Sequence, residues 1–227
     1  MTGLTLELFG VSIHEADVAL TDFGLAILST YLGRRLWRAP NRGTLQTAGA
    51  IIMLGLACSA FWGAMFHAFF PAHTATRPGF MVWMLVSLSI VAVGVTLLDL
   101  AMRVLVPRLP QSLRRGILAI YAIAFAAVAF LGDQSFGNIV RFYGPALLLV
   151  LVAALHQLVR IRGVGWRLIA IGFTISIGAA ILQQAHVGLD PVYFNHNAVY
   201  HVLQGVALVL LYLGFQRAQP VPPGVPG

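Results

Sequence analysis

The chain has 227 residues, of which 59% are hydrophobic and 9% charged, and its mean hydropathy is +0.87. An ordinary soluble domain carries roughly 25% charged residues, so a soluble globule, a disordered chain and, with the single cysteine Cys58, a disulfide scaffold are excluded. The net charge of +7 comes from fourteen arginines and no lysine; they cluster between apolar segments, which points to membrane topology and away from nucleic acid.

Seven apolar segments, each near the ~20 residues needed to cross hydrocarbon, follow one another at 16–37, 45–70, 80–106, 114–132, 137–159, 165–187 and 196–216. Turn and helix-stop residues separate them. Arg38-Ala39-Pro40-Asn41-Arg42-Gly43 ends the first, and Pro71 with Pro78-Gly79 frames the second connection. Pro107 and Pro110 precede Arg114, Gly132-Asp133-Gln134 makes the fourth, and Arg160 to Gly163 the fifth. Gly188-Leu189-Asp190-Pro191 opens the sixth. Gly144-Pro145 predicts a kink in the fifth segment. The segments are apolar on all sides and too long for barrel strands, and helices satisfy their own backbone groups in lipid. The expected fold is all-α: a seven-transmembrane helix bundle forming one domain over 1–217, with a flexible proline-rich tail at 218–227 and no cleavable signal peptide.

Twelve of the fourteen arginines fall in the odd-numbered connections and at the C-terminal end; only Arg77 and Arg141 lie on the other side. The positive-inside rule then predicts an outside N-terminus and a cytoplasmic C-terminus. On this topology six of the seven histidines and six of the seven acids gather at the outer ends, and Asp99 with Arg103 reads as a structural i,i+4 pair. Trp37, Trp62, Trp83 and Trp166 read mostly as interfacial aromatics, with Trp62 alternatively a packing residue. Cys58 sits in an apolar run, where a thiol is usually inert.

Ionisable groups are costly within a bilayer, so those retained face one another or water. Helical spacing aligns Asn197, His201 and Gln204 on the seventh segment and Ser59, Gly63 and His67 on the second. It aligns Glu15, Asp22 and Ser29 on the first, and Gln183 with His186 on the sixth. The simplest arrangement points all four stripes into one polar cavity. His67, His201, His186 and Asp22 are the candidate metal ligands, because two neutral imidazoles, a carboxylate and an open position are what a catalytic divalent metal, zinc above all, requires. A plainer alternative pairs Asp22 with Arg141.

The stretches HEADVALTD at 14–22, GAMFHAFFP at 63–71 and NHNAVYHVLQ at 195–204 resemble a family of bacterial seven-span membrane proteins. That family is distantly similar to the superfamily of alkaline ceramidases and progestin/adiponectin-type receptors. The resemblance implies a seven-span zinc hydrolase of lipid amides. The superfamily places Ser and His four apart on span two, Asp on span three, and His-x-x-x-His on span seven. Here His67 and His201 match, Gly63 replaces the Ser, Asn197 replaces the first span-seven His, and no Asp opens span three.

Three functions follow as expectations, with ion or proton transport a weaker fourth because the polar groups stop in the outer half. The first is a metal-dependent hydrolase of a lipid amide or ester at the outer leaflet, with Asp22 or Glu15 as base or third ligand and Asn197 and Gln204 as orienting groups. The second is a non-catalytic lipid-binding or receptor-like protein, or an accessory subunit of a membrane complex. The third is a haem protein with His67 and His201 as axial ligands. Membrane lipids are the expected partners, with a homo-oligomer or membrane-complex subunit besides. Arginine in place of lysine, in a chain rich in Ala, Leu, Gly and Val, suggests a high-GC bacterium and hence its inner membrane.

Overall fold

A computed structural model describes residues 4–40 and 42–218. The expected tail, beyond Ala218, lies outside them. Among the described residues the chain forms seven α-helices: α1 (Ala16–Trp37), α2 (Thr44–Phe69), α3 (Arg77–Leu105), α4 (Gln111–Leu131), α5 (Phe136–Ile161), α6 (Val164–Gln184) and α7 (His196–Arg217). Their ends lie within a few residues of the apolar segments. Six helices, α2 to α7, are long and apolar enough to cross a membrane, as in a multi-pass membrane protein. The remaining one, α1, carries Asp17, Asp22, Arg34 and Arg35.

One element departs from the all-helical expectation. Strands β1 (Leu6–Leu8) and β2 (Val11–Ile13) form an antiparallel hairpin ahead of α1. Its two-residue turn, Phe9-Gly10, has positive φ at both positions, as the primed hairpin turns require. Phe is an unusual first turn residue, which is why the turn was not evident in the sequence. The hairpin's exit is tied down: the His14 N–H donates to the Ala68 carbonyl at the end of α2, and the Ala16 N–H to the Leu4 carbonyl.

Six helices form a closed ring in the order α1, α2, α3, α5, α6, α7 and back to α1; α4 packs mainly on the outside of α3. Only Phe125 and Ala129 of α4 are buried. Inside a bilayer apolar burial drives helix association weakly, so close packing through small residues has to hold the ring. The α6–α7 seam shows it: a Cβ on Gly214 would stand 2.6 Å from Ile169 Cγ1 and 2.9 Å from its backbone nitrogen. Large side chains fill the centre, among them Trp166, Phe173, Phe215 and Met53, all under 2% exposed. Trp166 and Trp83 are therefore core residues and not the interfacial aromatics expected of them; only Trp37 stands exposed, beneath the Arg42 guanidinium. Helix α5 runs unbroken through Pro145. Asp99 accepts from Arg103 at 2.6 Å, as its spacing predicts, and also from Arg114 at 3.0 Å, which ties α3 to α4.

Gly178, in contrast, has open space where a Cβ would sit. Gly178→Ala is expected to raise the melting temperature in detergent, by the roughly 0.4–1 kcal/mol typical of a compatible Gly→Ala. Gly214→Ala is expected to lower it, with an overpacking cost of about 1–3 kcal/mol. Differential scanning fluorimetry of both variants reads the opposite signs.

Candidate functional site

The polar stripes meet at the histidine-rich end of the ring, opposite the arginine-rich connections. A cavity of about 360 Å³ opens there, lined from α2 by Ser59, Gly63 and His67 and from α7 by Asn197, His201 and Gln204, with Asp22 from α1 and Gln183 from α6. The α2 and α7 stripes line it whole, whereas α1 contributes only Asp22 of its stripe and α6 only Gln183. Tyr143 of α5 and Tyr200 of α7 complete the wall.

Local chemistry sets the helix starts that frame the cavity. The Asn195 side chain caps α7 by accepting from the N–H groups of Asn197 and Ala198. The Asn195 N–H in turn donates to Asp17 Oδ2 at 3.3 Å, which fixes the start of α7 beside the start of α1. Ser135 caps α5 through the Asn138 N–H. Gln183 of α6 donates to Asn197 Oδ1 at 2.9 Å, so both carboxamides are oriented before any ligand arrives.

Asp22 is 5% exposed and lies against Gly63, where a Cβ would stand 2.8 Å from its Oδ2. Its Oδ1 is 3.2 Å from His201 Nε2. The other ring nitrogen, Nδ1, is 3.0 Å from the Thr21 hydroxyl, which also lies 2.9 Å from the Val18 carbonyl and 3.0 Å from that of Asp17. The hydroxyl has one hydrogen. Donating it to a backbone carbonyl makes Thr21 Oγ1 the acceptor for the His201 Nδ1–H. Nε2 then faces Asp22 Oδ1 across 3.2 Å, an ion-pair contact between α7 and α1. Asp22 thus pairs with His201 and not with Arg141, which donates instead to Asn138 at 3.1 Å.

His67 is held differently. Glu15, at the N-cap of α1 with a left-handed φ of 42°, hydrogen-bonds His67 Nδ1. His67 Nε2 has no hydrogen-bond partner among the described residues, and the ring lines the cavity. A carboxylate on one ring nitrogen fixes the tautomer and orientation of the other. Glu15 therefore acts behind His67 and does not itself line the cavity. His186 is set apart: α6 ends at Gln184, and the ring stands exposed at 3.3 Å from His196. Early termination turns it away from the stripe that Gln183 belongs to. Among the described residues, no three His, Cys, Asp or Glu side chains come together closely enough to hold a metal ion.

Residues 18–220 match the family described as "Family of unknown function (DUF6962)". The chain belongs to this family. No curated protein and no solved structure matches it. The match covers Asp22, His67, His201 and every helix except the first two residues of α1, and leaves the hairpin and Glu15 outside.

Thr21, Tyr143 and Tyr200 are site residues that the polar stripes did not name. Thr21 precedes Asp22 and so points about 100° away on an isolated helix; only the approach of α7 brings His201 to both. Tyr143 follows no polar stripe, whereas Tyr200 falls three residues after Asn197 and four before Gln204, on the face of their stripe, where its aromatic ring gave no polar signal.

The Glu15 carboxyl is subject to opposing effects. Burial alone raises it, but the hydrogen bond from His67, its positive charge and that of His73 outweigh burial and hold it below the usual carboxylate range. A depressed carboxylate contributes stability above its unfolded pKa and loses it as pH falls through the folded value. Glu15→Gln is expected to lower the melting temperature at pH 7, by on the order of 1–2 kcal/mol for a charge-assisted hydrogen bond. The difference from the unaltered chain should close below about pH 4. A melting series in detergent from pH 3 to 8 measures it.

Proposed function

We propose that the chain is a seven-span protein of a bacterial inner membrane that receives the polar end of a lipid, or of a lipid-derived amide or ester, in the cavity at its histidine-rich end. In this reading α1 is the seventh span. Its 22 residues extend ~33 Å, enough for a hydrocarbon core of about 30 Å, and Asp22 faces the cavity and not lipid. The arginine bias then puts the cavity on the outer side and the end of α7 in the cytoplasm.

The observation that carries the reading is the asymmetry between the two imidazoles. Both ring nitrogens of His201 are engaged by Thr21 and Asp22, whereas His67 keeps Nε2 free on the cavity wall. His67 is thus the group that engages the ligand, with Asn197 and Gln204 as oriented hydrogen-bonding partners and the tyrosine rings as an apolar shelf. A cavity of about 360 Å³ falls within the usual size of small-molecule sites, 300–1,000 Å³ being roughly the common range.

A second reading is the metal-dependent lipid hydrolase, and one observation favours it. Glu15 on His67 Nδ1 is the support that a metal-ligating or proton-accepting imidazole commonly has. As placed, however, the residues give one free imidazole nitrogen and no three-ligand set, so binding is the preferred function.

Native mass spectrometry of the purified protein, with lipid analysis and elemental analysis of the same sample, tests this. The unaltered chain is expected to retain a lipid-class molecule that His67→Gln releases several-fold more readily. His186→Gln, outside the cavity, should leave retention unchanged. Equal retention in His67→Gln would contradict the proposal. One equivalent of zinc, lost on substituting either His67 or His201, would establish the second reading in its place.

A further inference from the structure

A larger groove, about 1120 Å³, runs along the outside of the bundle between α1 and α2. It is independent of the histidine-rich cavity and shares no lining residue with it. Its long wall is apolar: Phe23 and Ile27 of α1 face Ala57 and Phe61 of α2, with Trp62 and Cys58 beside them. Phe23 and Phe61 meet edge to face at 6.1 Å, as do Phe61 and Trp62 at 5.2 Å. Cys58 is thus exposed on this wall and not enclosed in packed apolar surroundings.

At the arginine-rich end the same groove is walled by Arg34, Arg35 and Arg38. These lie one turn or less apart on the last turn of α1 and its C-cap, all three exposed. The Arg35 guanidinium sits over the Tyr31 ring, 6.0 Å from its centroid, and Tyr31 lines the groove as well. Among the described residues none of the three is ion-paired, and no acidic side chain is among those lining the groove. Topology alone accounts for arginines in a connection. It does not account for three of them closing one end of an apolar channel with no counter-charge.

We infer that this groove is a binding site for an anionic glycerophospholipid, its acyl chains along Phe23, Ile27 and Phe61 and its phosphate at Arg34, Arg35 and Arg38. The chemistry on each side matches. Hydrocarbon chains lie against an aliphatic and aromatic wall at the depth of the bilayer. The guanidinium forks take phosphate oxygens in paired, charge-assisted hydrogen bonds, which a zwitterionic headgroup satisfies less well because its ammonium is repelled.

Two measurements test it. In native mass spectrometry of the detergent-solubilised full chain, phosphatidylglycerol is expected to be retained over phosphatidylcholine by about tenfold or more, three arginines near one phosphate each adding severalfold. The triple change Arg34→Gln, Arg35→Gln and Arg38→Gln should abolish that preference, whereas Arg108→Gln with Arg115→Gln, on the α3–α4 side, should leave it. In vesicles, phosphatidylglycerol brominated on its acyl chains is expected to quench Trp62 more than brominated phosphatidylcholine does, read as the difference from Trp62→Phe. The quenching experiment leaves residues 34–38 unaltered, so it decides the matter if the triple variant does not fold. No headgroup preference in the unaltered chain, equal loss in the Arg108/Arg115 control, or equal quenching by the two brominated lipids would overturn the inference.

Discussion

A single buried carboxylate holds three helices in register. Asp22 on α1 sits against the bare backbone of Gly63 on α2 and stands 3.2 Å from the His201 imidazole on α7. A Cβ opposite it would stand 2.8 Å from Asp22 Oδ2, so glycine there leaves the carboxylate its position without displacing it. An unpaired charge at that depth would cost several kcal/mol, so the ring of helices closes α7 onto α1 in the one arrangement that supplies the imidazole. Thr21 then completes the coordination of His201, and the Asn195 N–H reaches Asp17 one turn earlier. The cavity exists because these polar contacts keep the helix ends from collapsing onto one another.

Closure through His201 leaves His67 on the cavity wall with Nε2 unpartnered among the described residues. Its position depends on the segment before α1, since Glu15 reaches Nδ1 only because the hairpin exit is pinned to the end of α2 by His14. The left-handed backbone at Glu15 is a local strain of the kind that persists where surrounding contacts over-determine it. One imidazole is therefore held at both ring nitrogens by Thr21 and Asp22 and the other only at Nδ1, by Glu15, although in the sequence they look alike. The groove between α1 and α2 uses a different device, apolar surface ending in unpaired arginines, and the two sites lie on different faces of the same helix pair.

The architecture was legible because lipid imposes it. Each span had to be a long apolar run, so helix ends could be read to within a few residues, and the face shared by Ser59, Gly63 and His67 followed from spacing alone. Side-chain partners were much less legible. Spacing gave Asp22 and His201 a common depth but could not show that Gly63 makes room for the carboxylate or that Thr21 reaches the second ring nitrogen. It carried His186 onto the wrong surface because α6 ends two residues before it. The hairpin escaped because Phe-Gly is a poor turn signature. Trp166, read as interfacial, is buried because α6 starts already packed against the core.

The central claim is that Asp22 and His201 form one coupled unit. A double-mutant cycle with Asp22→Asn and His201→Gln, read as melting free energies in a single detergent, tests it most directly. The two changes should be non-additive, with a coupling of about 1–3 kcal/mol as for residues in one buried hydrogen-bonded network. Additive effects, within about 0.3 kcal/mol, would show that the carboxylate and the imidazole do not depend on each other, and the account of how this cavity is built would fall.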